Sequence, residues 1–365
     1  MKKILCAALA AIILLSVTAC GEDYEEAPLT DAEARSVLEM SSGDGHYTLN
    51  YALYRSLFYS LRDGVDGGDH TVWTGSDSGK YISEINALIL AKAANIFAVF
   101  EAAERAGIDP YSKEIDEEVL ACVRADIEGG YVGDYLVQGL GSYDAYISSL
   151  AESHISDYAN RLLYRYSIVW EHLTEYYIGN IGEVPAADTV LGAISYTRED
   201  VENFYFGDDC RHIRLAFMNS TFADLEYALD VRARLMRQAT NDGIVNTIMN
   251  YCGAEAIASE AENGVCVGRY SLDPYFSALT ASIFSLSGER DVGEVIQISD
   301  VAVSGFYIAV GAEKSAEYLD QHYEEVARVY AEDQLGRIIS GICDELLSGA
   351  GADISAFAAD AIAEA

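Results

Sequence analysis

Positive charge and proline are scarce in this sequence. Its 365 residues include 23 Lys and Arg against 59 Asp and Glu, giving a formal net charge of -36. With so few cations to neutralise phosphates, we expect no nucleic-acid partner. The presence of only 4 prolines and 30 glycines excludes collagen-like and proline-rich linker architectures. The chain is nevertheless 51% hydrophobic and contains 26 tyrosines, which is enough for domains with cores of their own.

The sequence also lacks the short motifs that mark common enzyme sites. It contains no GxSxG, HExxH or Walker A motif and no GxGxxG after a strand, and its histidines are scattered without the spacing of metal ligands. Asp63, Asp66 and Asp69 share one Gly/Asp-rich loop, but their spacing is not that of an EF-hand. A solvated acidic loop is therefore favoured over a Ca²⁺ site, and neither a metal nor another cofactor is predicted.

The N-terminus has the pattern of an export signal. Two lysines follow Met1, and residues 4–17 are almost wholly apolar, which is too short for a membrane span and typical of a secretory signal peptide. The sequence Val-Thr-Ala before Cys20 resembles a bacterial lipobox. The resemblance implies a lipoprotein signal peptide over 1–19, a diacylglyceryl thioether on Cys20, and anchoring at the extracytoplasmic face of the cell membrane. The alternative is an ordinary signal peptide, or a short uncleaved anchor, with a chance cysteine.

Residues 20–45 have the composition of a tether. They are acidic and rich in small side chains. Because anionic headgroups repel acidic protein, we expect this segment to hold the body of the protein off the bilayer.

Cysteine usage beyond Cys20 supports two interpretations. Five cysteines without a CxxC motif follow it: Cys122, Cys210, Cys252, Cys266 and Cys343. Export permits disulfides, and Cys252 with Cys266 is one candidate pair. A set of buried thiols is the alternative.

Residues 46–196 are predicted to form a helical domain. The apolar periodicity predicts long helices over about 81–106 and 142–178 and a shorter one over about 113–128. The region is rich in tyrosine, which suits either a groove for unfolded chains or half-buried helix packing. The tyrosines concerned are Tyr51, Tyr54, Tyr59, Tyr143, Tyr146, Tyr164, Tyr166, Tyr176 and Tyr177.

Residues 197–312 have the pattern of a small α+β domain. The predicted elements are a short helix to Phe206, strands over 211–217, 266–272, 292–301 and 303–310, and helices over 222–238, 244–251 and 274–286. The first long helix places Leu225, Ala228, Leu229, Ala233 and Met236 on one face. An amphipathic helix over about 316–347 follows, and the Ala/Gly-rich tail over 351–365 is predicted to be loose.

Five short pieces of this domain resemble parvulin-type peptidyl-prolyl isomerases. They are Arg-His-Ile over 211–213, Glu-Asn-Gly-Val-Cys-Val-Gly over 262–268, Phe-Ser-Leu-Ser-Gly-Glu over 284–289, Gly-Glu-Val-Ile over 293–296 and Ser-Gly-Phe-Tyr-Ile-Ala over 304–309. Their order and spacing carry the resemblance. With the lipobox, the helical region and the C-terminal helix, the chain is similar to the SurA/PrsA type of extracytoplasmic foldase.

That resemblance implies an organisation and a partner. The fold class is α+β, with a mostly helical SurA-N-like chaperone module over 46–196, a parvulin-like domain over 197–312, and a returning helix over 313–350 that packs on the helical module. The implied partners are unfolded or newly exported polypeptides.

The resemblance also implies a site on the sheet of the parvulin-like domain. In that family two histidines face each other across the sheet beside an acidic or thiol group, above an apolar pocket. His212 matches the first histidine and Tyr307 replaces the second. Cys266 stands where aspartate is usual, and Ser304 matches a frequent hydroxyl. The implied pocket residues are Val267, Leu272, Phe276, Leu279 and Phe284, with Phe276 and Leu279 as alternatives for one aromatic position.

Three functional hypotheses follow from these residues. Rotation about an X-Pro bond faces a barrier of about 18–20 kcal/mol and needs no covalent step, so a foldase with isomerase activity requires His212 and Tyr307 to meet over the pocket. The missing second histidine favours a non-catalytic holdase or assembly factor, in which His212 is a core histidine, Cys266 a buried thiol and Tyr307 a sheet-packing residue. A solute-binding lipoprotein is disfavoured, because alternating βα units are absent.

Overall fold

The structure is a computed structural model that describes residues 24–43, 45–132, 135–179, 194–252, 258–271, 277–298, 305–348 and 353–364. Within these residues helices predominate and the sheets are small and antiparallel, which confirms the predicted helix-rich α+β class. The chain divides into unit 1, over 1–176 and 338–365, and unit 2, over 177–337. The division differs from the predicted one, which placed the first boundary at residue 197.

Unit 1 consists mainly of long helices. Its elements are β1 (Ser36–Ser42), β2 (Gly45–Asn50), α1 (Tyr51–Asp66), a 3-10 turn (His70–Trp73), α2 (Ser78–Arg105), α3 (Lys113–Glu128), β3 (Gly130–Val132), β4 (Tyr135–Val137), α4 (Tyr143–Glu152) and α5 (Asp157–Ile178). The end of α12 (Tyr323–Ser348) and all of α13 (Ser355–Ala363) complete the unit.

The core of unit 1 forms between α1 and α2. The Asn50 side chain begins α1 by accepting a hydrogen bond from the Leu53 amide at 3.0 Å. Tyr54 and Phe58 of α1 and Ile89 of α2 are fully buried. Among the described residues, α2 alone is long and apolar enough to cross a membrane by length and composition, and most of it is buried inside the protein, as in the core helix of a soluble domain.

The long helix predicted over 142–178 is two helices. The Ser153 amide caps the end of α4, and His154 adopts a positive φ of 58°, which ends the helical path. The Ser156 hydroxyl then accepts a hydrogen bond from the Ala159 amide at 3.1 Å and begins α5.

The prediction of a tether over 20–45 is wrong from residue 36 onwards. Residues 36–42 form β1, which pairs with β2 in the register Met40↔Tyr47 and buries Val37, Leu38 and Met40. The same hairpin makes residues 46–50 a strand, although they were assigned to the helical domain. The alternating burial of β1 is the period-two signal of a strand with one buried face.

The prediction of a loose tail over 351–365 is also wrong. Residues 355–363 form α13, which packs against α1 and α2 and buries Ala358 and Ala361. The Tyr59 hydroxyl donates a hydrogen bond to the Ala361 carbonyl at 2.8 Å. Small side chains permit this close approach but give a weak hydrophobic signal in the sequence.

Unit 2 is built on one antiparallel sheet. Its elements are α6 (Arg198–Phe206), β5 (Cys210–Asn219), α7 (Leu225–Leu235), α8 (Asn241–Tyr251), α9 (Ala258–Asn263), β6 (Val265–Gly268), α10 (Ser277–Ser285), β7 (Ile296–Ile298), β8 (Gly305–Gly311) and α11 (Ala316–Gln321), followed by the start of α12. The strand order is β6-β5-β8-β7. The helix predicted over 316–347 is interrupted at His322, which separates α11 from α12.

Candidate functional site

The first and last strands of unit 2 lie side by side. β5 and β8 pair antiparallel from Ile213↔Gly311 to Asn219↔Gly305. The predicted meeting of His212 and Tyr307 requires the two strands to be neighbours, as they are. Whether the site forms then depends on which face of the sheet each side chain occupies, because neighbouring residues along a strand point to opposite faces.

His212 is a buried histidine whose two ring nitrogens both face the main chain. Its Nδ1 lies 2.6 Å from the Glu313 carbonyl oxygen and its Nε2 lies 2.8 Å from the Asn263 carbonyl oxygen. Burial lowers the pKa of His212, and the two carbonyl contacts oppose this shift in part. Since both nitrogens are occupied by backbone groups, the ring has none to direct at a substrate.

The Asn-Gly pair before β6 makes the environment of His212. Gly264 has a φ of 78°, and a Cβ there would lie 2.6 Å from Nε2 of His212. Glycine is therefore required at this position for two reasons: the backbone conformation is left-handed, and the His212 ring leaves no room for a Cβ. The Glu-Asn-Gly sequence that suggested a catalytic family thus has a structural role in this protein.

Tyr307 lies on the other face of the sheet. It pairs with Phe217, five residues along β5 from His212, so the two side chains point in opposite directions about 16 Å apart along the strand. The Tyr307 ring is buried against the Phe217 ring, with centroids 4.7 Å apart. The prediction that His212 and Tyr307 meet over a common pocket is wrong.

Cys266 does lie beside His212. The two residues are paired across β5 and β6 and therefore share a face of the sheet. Cys252 is buried in a separate apolar cluster with Ala216 and Val310, where burial raises the pKa of its thiol to about 12. Cys252 and Cys266 are both thiols, so the candidate disulfide between them does not form.

The predicted pocket residues lie on the face of Tyr307 where the structure describes them. Val267 pairs with Arg211 across β5 and β6, and the Arg211 guanidinium stacks over the Phe284 ring at 5.1 Å. Leu279 is buried in α10, which packs against β5, β7 and β8. Leu272, Phe276 and Ser304 lie outside the described residues, as does Cys20. The predicted site thus divides between two faces.

Helix α7 has a feature that the sequence analysis missed. Its buried side consists of Ala228, Val231 and Leu235, which pack on the sheet with β5 and β8. A second apolar row begins just before the helix and is largely solvent-exposed: Phe222 (55%), Leu225 (50%), Leu229 (49%) and Met236 (60%). We call this row the α7 stripe. The predicted packing face combined residues from the buried row and from the exposed row. A signal in the sequence could have distinguished the two rows, because each has apolar residues at helical spacing on its own side of the helix.

Of the three aspartates of the Gly/Asp-rich loop, Asp63 and Asp66 converge with His70, with one ligand atom of each within 4.8 Å of the others, whereas Asp69 is not part of this group. The fully buried Asp66 carboxylate lies 2.8 Å from Nδ1 of His70 and accepts hydrogen bonds from Nε1 of Trp73 at 2.6 Å and from the Gly68 amide. Asp69 accepts a hydrogen bond from the Thr71 amide instead. Asp66 therefore holds the connection from α1 to the 3-10 turn in place.

The tyrosine-rich helices mostly use their rings for packing. Tyr51, Tyr54 and Tyr146 are fully buried. The Tyr54 hydroxyl donates to the Asn86 side chain at 2.7 Å, and the Tyr146 hydroxyl to Asp157 at 2.9 Å. These rings supply core contacts rather than an accessible groove.

The described residues form a helix-rich α+β protein with a four-stranded antiparallel sheet in unit 2. No protein-family model matches the chain, and no curated protein matches it. Among solved structures it is similar to the foldase protein PrsA from Streptococcus pneumoniae strain Canada MDR_19A, with 12% identity, coverage of 89% of this chain and 99% of that chain, and a TM-score of 0.24. A superposition this poor carries no argument about shared function.

Proposed function

We propose that the protein is a lipid-anchored extracytoplasmic chaperone that holds unfolded exported polypeptides on the α7 stripe. The observation that supports this best is the exposure of four large apolar side chains, Leu225 and Leu229 on α7 and Phe222 and Met236 beside its two ends, next to a face of the helix that is already packed. Such a row suits apolar client segments. Anchoring at Cys20 rests on the lipobox resemblance and would place the stripe where exported chains emerge.

The net charge of the chain, rather than the charge beside the stripe, favours basic clients. Asp224 and Glu226 are exposed beside the stripe, but Arg232 and Arg234 lie in the last turn of the same helix, so the expectation rests on the whole chain's net charge of -36. A field of this sign attracts unfolded segments rich in lysine and arginine and weakens as salt is added. Apolar contact and electrostatic steering thus act on the same kind of client.

The position of His212 favours holding over catalysis. Isomerisation requires groups that stabilise the twisted amide together, on one side of the bound proline. Here both nitrogens of His212 face backbone carbonyls, and Tyr307 lies on the opposite face of the sheet. Of the two foldase hypotheses, the non-catalytic one is therefore preferred.

An aggregation assay tests the holding function. Reduced lysozyme serves as a basic unfolded client, and its light scattering is measured with the wild type and with a Leu225→Asn, Leu229→Asn double variant. A matched control carries the same substitutions at Leu88 and Leu140, which are exposed apolar residues of unit 1. We expect the stripe variant to lose most of the suppression and the control to retain it. Equal suppression by both variants would reject the stripe as the client site.

A protease-coupled assay with a proline peptide tests the catalytic alternative separately. We expect the rate with the wild type to equal the uncatalysed rate. Acceleration by the wild type that is lost in His212→Ala would restore the isomerase hypothesis and contradict the non-catalytic one.

A further inference from the structure

The N-terminal segment of the described chain is bound to unit 1 as a strap, which we define as residues 24–27. The Tyr24 hydroxyl donates to Glu128 at 3.1 Å, and the Tyr24 carbonyl accepts from Arg161 at 3.0 Å. The Glu25 carbonyl accepts from the Tyr143 hydroxyl at 2.7 Å. The strap therefore crosses the end of α3 and the starts of α4 and α5.

The strap is held by a buried charge pair. The Ala27 amide donates to Oδ2 of Asp157 at 2.9 Å, and Arg161 donates to Oδ1 of the same carboxylate at 2.9 Å. The Asp157 side chain is fully buried and that of Arg161 nearly so. The Tyr24 ring also stacks on Tyr143, with centroids 5.7 Å apart. Main-chain and side-chain contacts of this kind make the strap part of the folded unit rather than part of a tether.

The distance from Cys20 to the strap is very short. Three residues separate Cys20 from Tyr24, so their Cα atoms can be at most about 14 Å apart in any conformation. We propose that the surface around the strap, formed by the end of α3 and the starts of α4 and α5, is the face that lies against the phospholipid bilayer. This inference rests on the lipid anchor in the proposed function, and it reverses the expectation that a long tether holds the body away from the membrane.

The charge of this face gives the inference a second consequence. Glu25, Glu26, Glu128 and Asp144 are exposed there. We call residues 20–23, which connect the lipid anchor to the strap, the leash. Anionic headgroups repel these carboxylates, so we expect the leash to be more extended on an anionic bilayer than on a zwitterionic one at low ionic strength. Added salt screens the repulsion and removes the difference.

Energy transfer to the membrane measures the distance. The lipidated mature protein is bound to phosphatidylcholine vesicles that contain a headgroup acceptor, with a donor fluorophore at position 144 introduced as a noncanonical amino acid. The comparison variant has a Gly/Ser linker of about 40 residues inserted between residues 22 and 23, which lengthens the leash by about 35 Å on average. We expect the insertion to lower the transfer efficiency about twofold or more. The same linker appended after residue 365 is the matched control and should leave transfer unchanged.

The outcomes separate this inference from the proposed function. If transfer is the same with and without the inserted linker, the short leash does not set the position of this face, and the inference is wrong. If the protein does not bind vesicles and mass spectrometry finds no acyl group on Cys20, the proposed anchoring fails instead. The leash is then tested by coupling Cys20 of the mature chain to a maleimide phospholipid, where the same loss of transfer on insertion is expected. A client-holding defect alone would leave all these distances unchanged.

Discussion

The two units differ in how their exposed apolar side chains are arranged: those of unit 1, such as Leu88 and Leu140, lie far apart in the sequence, whereas those of unit 2 include a row along one helix. In unit 1 the first and last described segments are packed on the helices, since the strap is bound by Asp157 and Arg161 and α13 packs on α1 and α2. Unit 2 packs one side of α7 on its sheet and leaves the other side, the α7 stripe, in solvent. Burial of an apolar side chain stabilises a fold by about 1.5–3 kcal/mol. Because the side chains of the α7 stripe stay in solvent, they do not contribute this free energy to the stability of unit 2. In the proposed function, the exposed row of unit 2 is the part that binds clients.

The largest effect is expected where the strap meets unit 1. Asp157→Ala leaves the nearly buried Arg161 without its carboxylate, and we expect a loss of about 3–5 kcal/mol in the free energy of unfolding, measured with urea at pH 7. Asp116→Ala is the matched control, because it breaks the more exposed pair with Arg165 and should cost less than about 1 kcal/mol. Similar losses in both variants would mean that the strap is not part of the core.

The effect of Asp157→Ala depends on pH in a defined direction. Burial by itself would raise the pKa of Asp157, but hydrogen bonds from Arg161, Ala27 and Tyr146 lower it overall. The stabilising contribution is then complete above about pH 4, the pKa in the unfolded chain, and is lost as the pH falls through the lower pKa of the folded state. Urea titrations at pH 7 and pH 3 should show the difference from wild type shrinking at the lower pH.

The next prediction compares the two sides of α7 directly. Leu235→Ala opens a cavity in the core of unit 2 and should cost about 3 kcal/mol, whereas Leu229→Ala on the α7 stripe should change the free energy of unfolding by less than about 0.5 kcal/mol. Client holding should change in the reverse order when measured at a temperature where both variants are folded. A large stability loss in Leu229→Ala would show that the stripe is a packing surface.

Among the substitutions of buried residues, the smallest effect is expected at His212. His212→Ala removes the ring that lies between the carbonyls of Asn263 and Glu313, and because a neutral imidazole has one N–H it donates to only one of them at a time. A cost of about 2 kcal/mol is expected from the lost hydrogen bond and the lost packing. Because burial lowers the pKa of His212, its favourable contribution is complete above about pH 6.5 and declines as the pH falls towards the folded-state pKa. The cost of the substitution, measured by urea unfolding, should therefore be greater at pH 8 than at pH 5. An equal cost at both pH values would contradict a neutral buried ring.

The parts of this fold that the sequence predicts are those carried by strong local patterns. The apolar periodicity of α2 and the alternation in β5 predicted both elements, and the family-like pieces around His212 and Tyr307 predicted that β5 and β8 lie side by side. Register is a weaker signal. A change of one residue in a strand moves every side chain to the other face, so the sequence could not show that His212 and Tyr307 point apart.

The elements that sequence analysis missed have weak or ambiguous patterns. α13 buries alanines, whose small surface gives little periodicity. The apolar residues of α7 lie on two sides, so Leu229 and Ala228 appear to share one face until the sheet is seen to cover only the side of Ala228. The strap is polar, and its attachment depends on Asp157, far along the chain.

Unit 1 is discontinuous in sequence, and this imposes an order of completion. Unit 2 ends at residue 337, whereas the last helix of unit 1 begins at Ser355. A chain that leaves a ribosome or a translocation channel from its N-terminus has therefore released all of unit 2 before unit 1 can close. Any chain that stops short of residue 354 lacks α13 and leaves uncovered the surface of α1 and α2 on which Ala358 and Ala361 pack. A product of interrupted synthesis therefore exposes part of the core of unit 1.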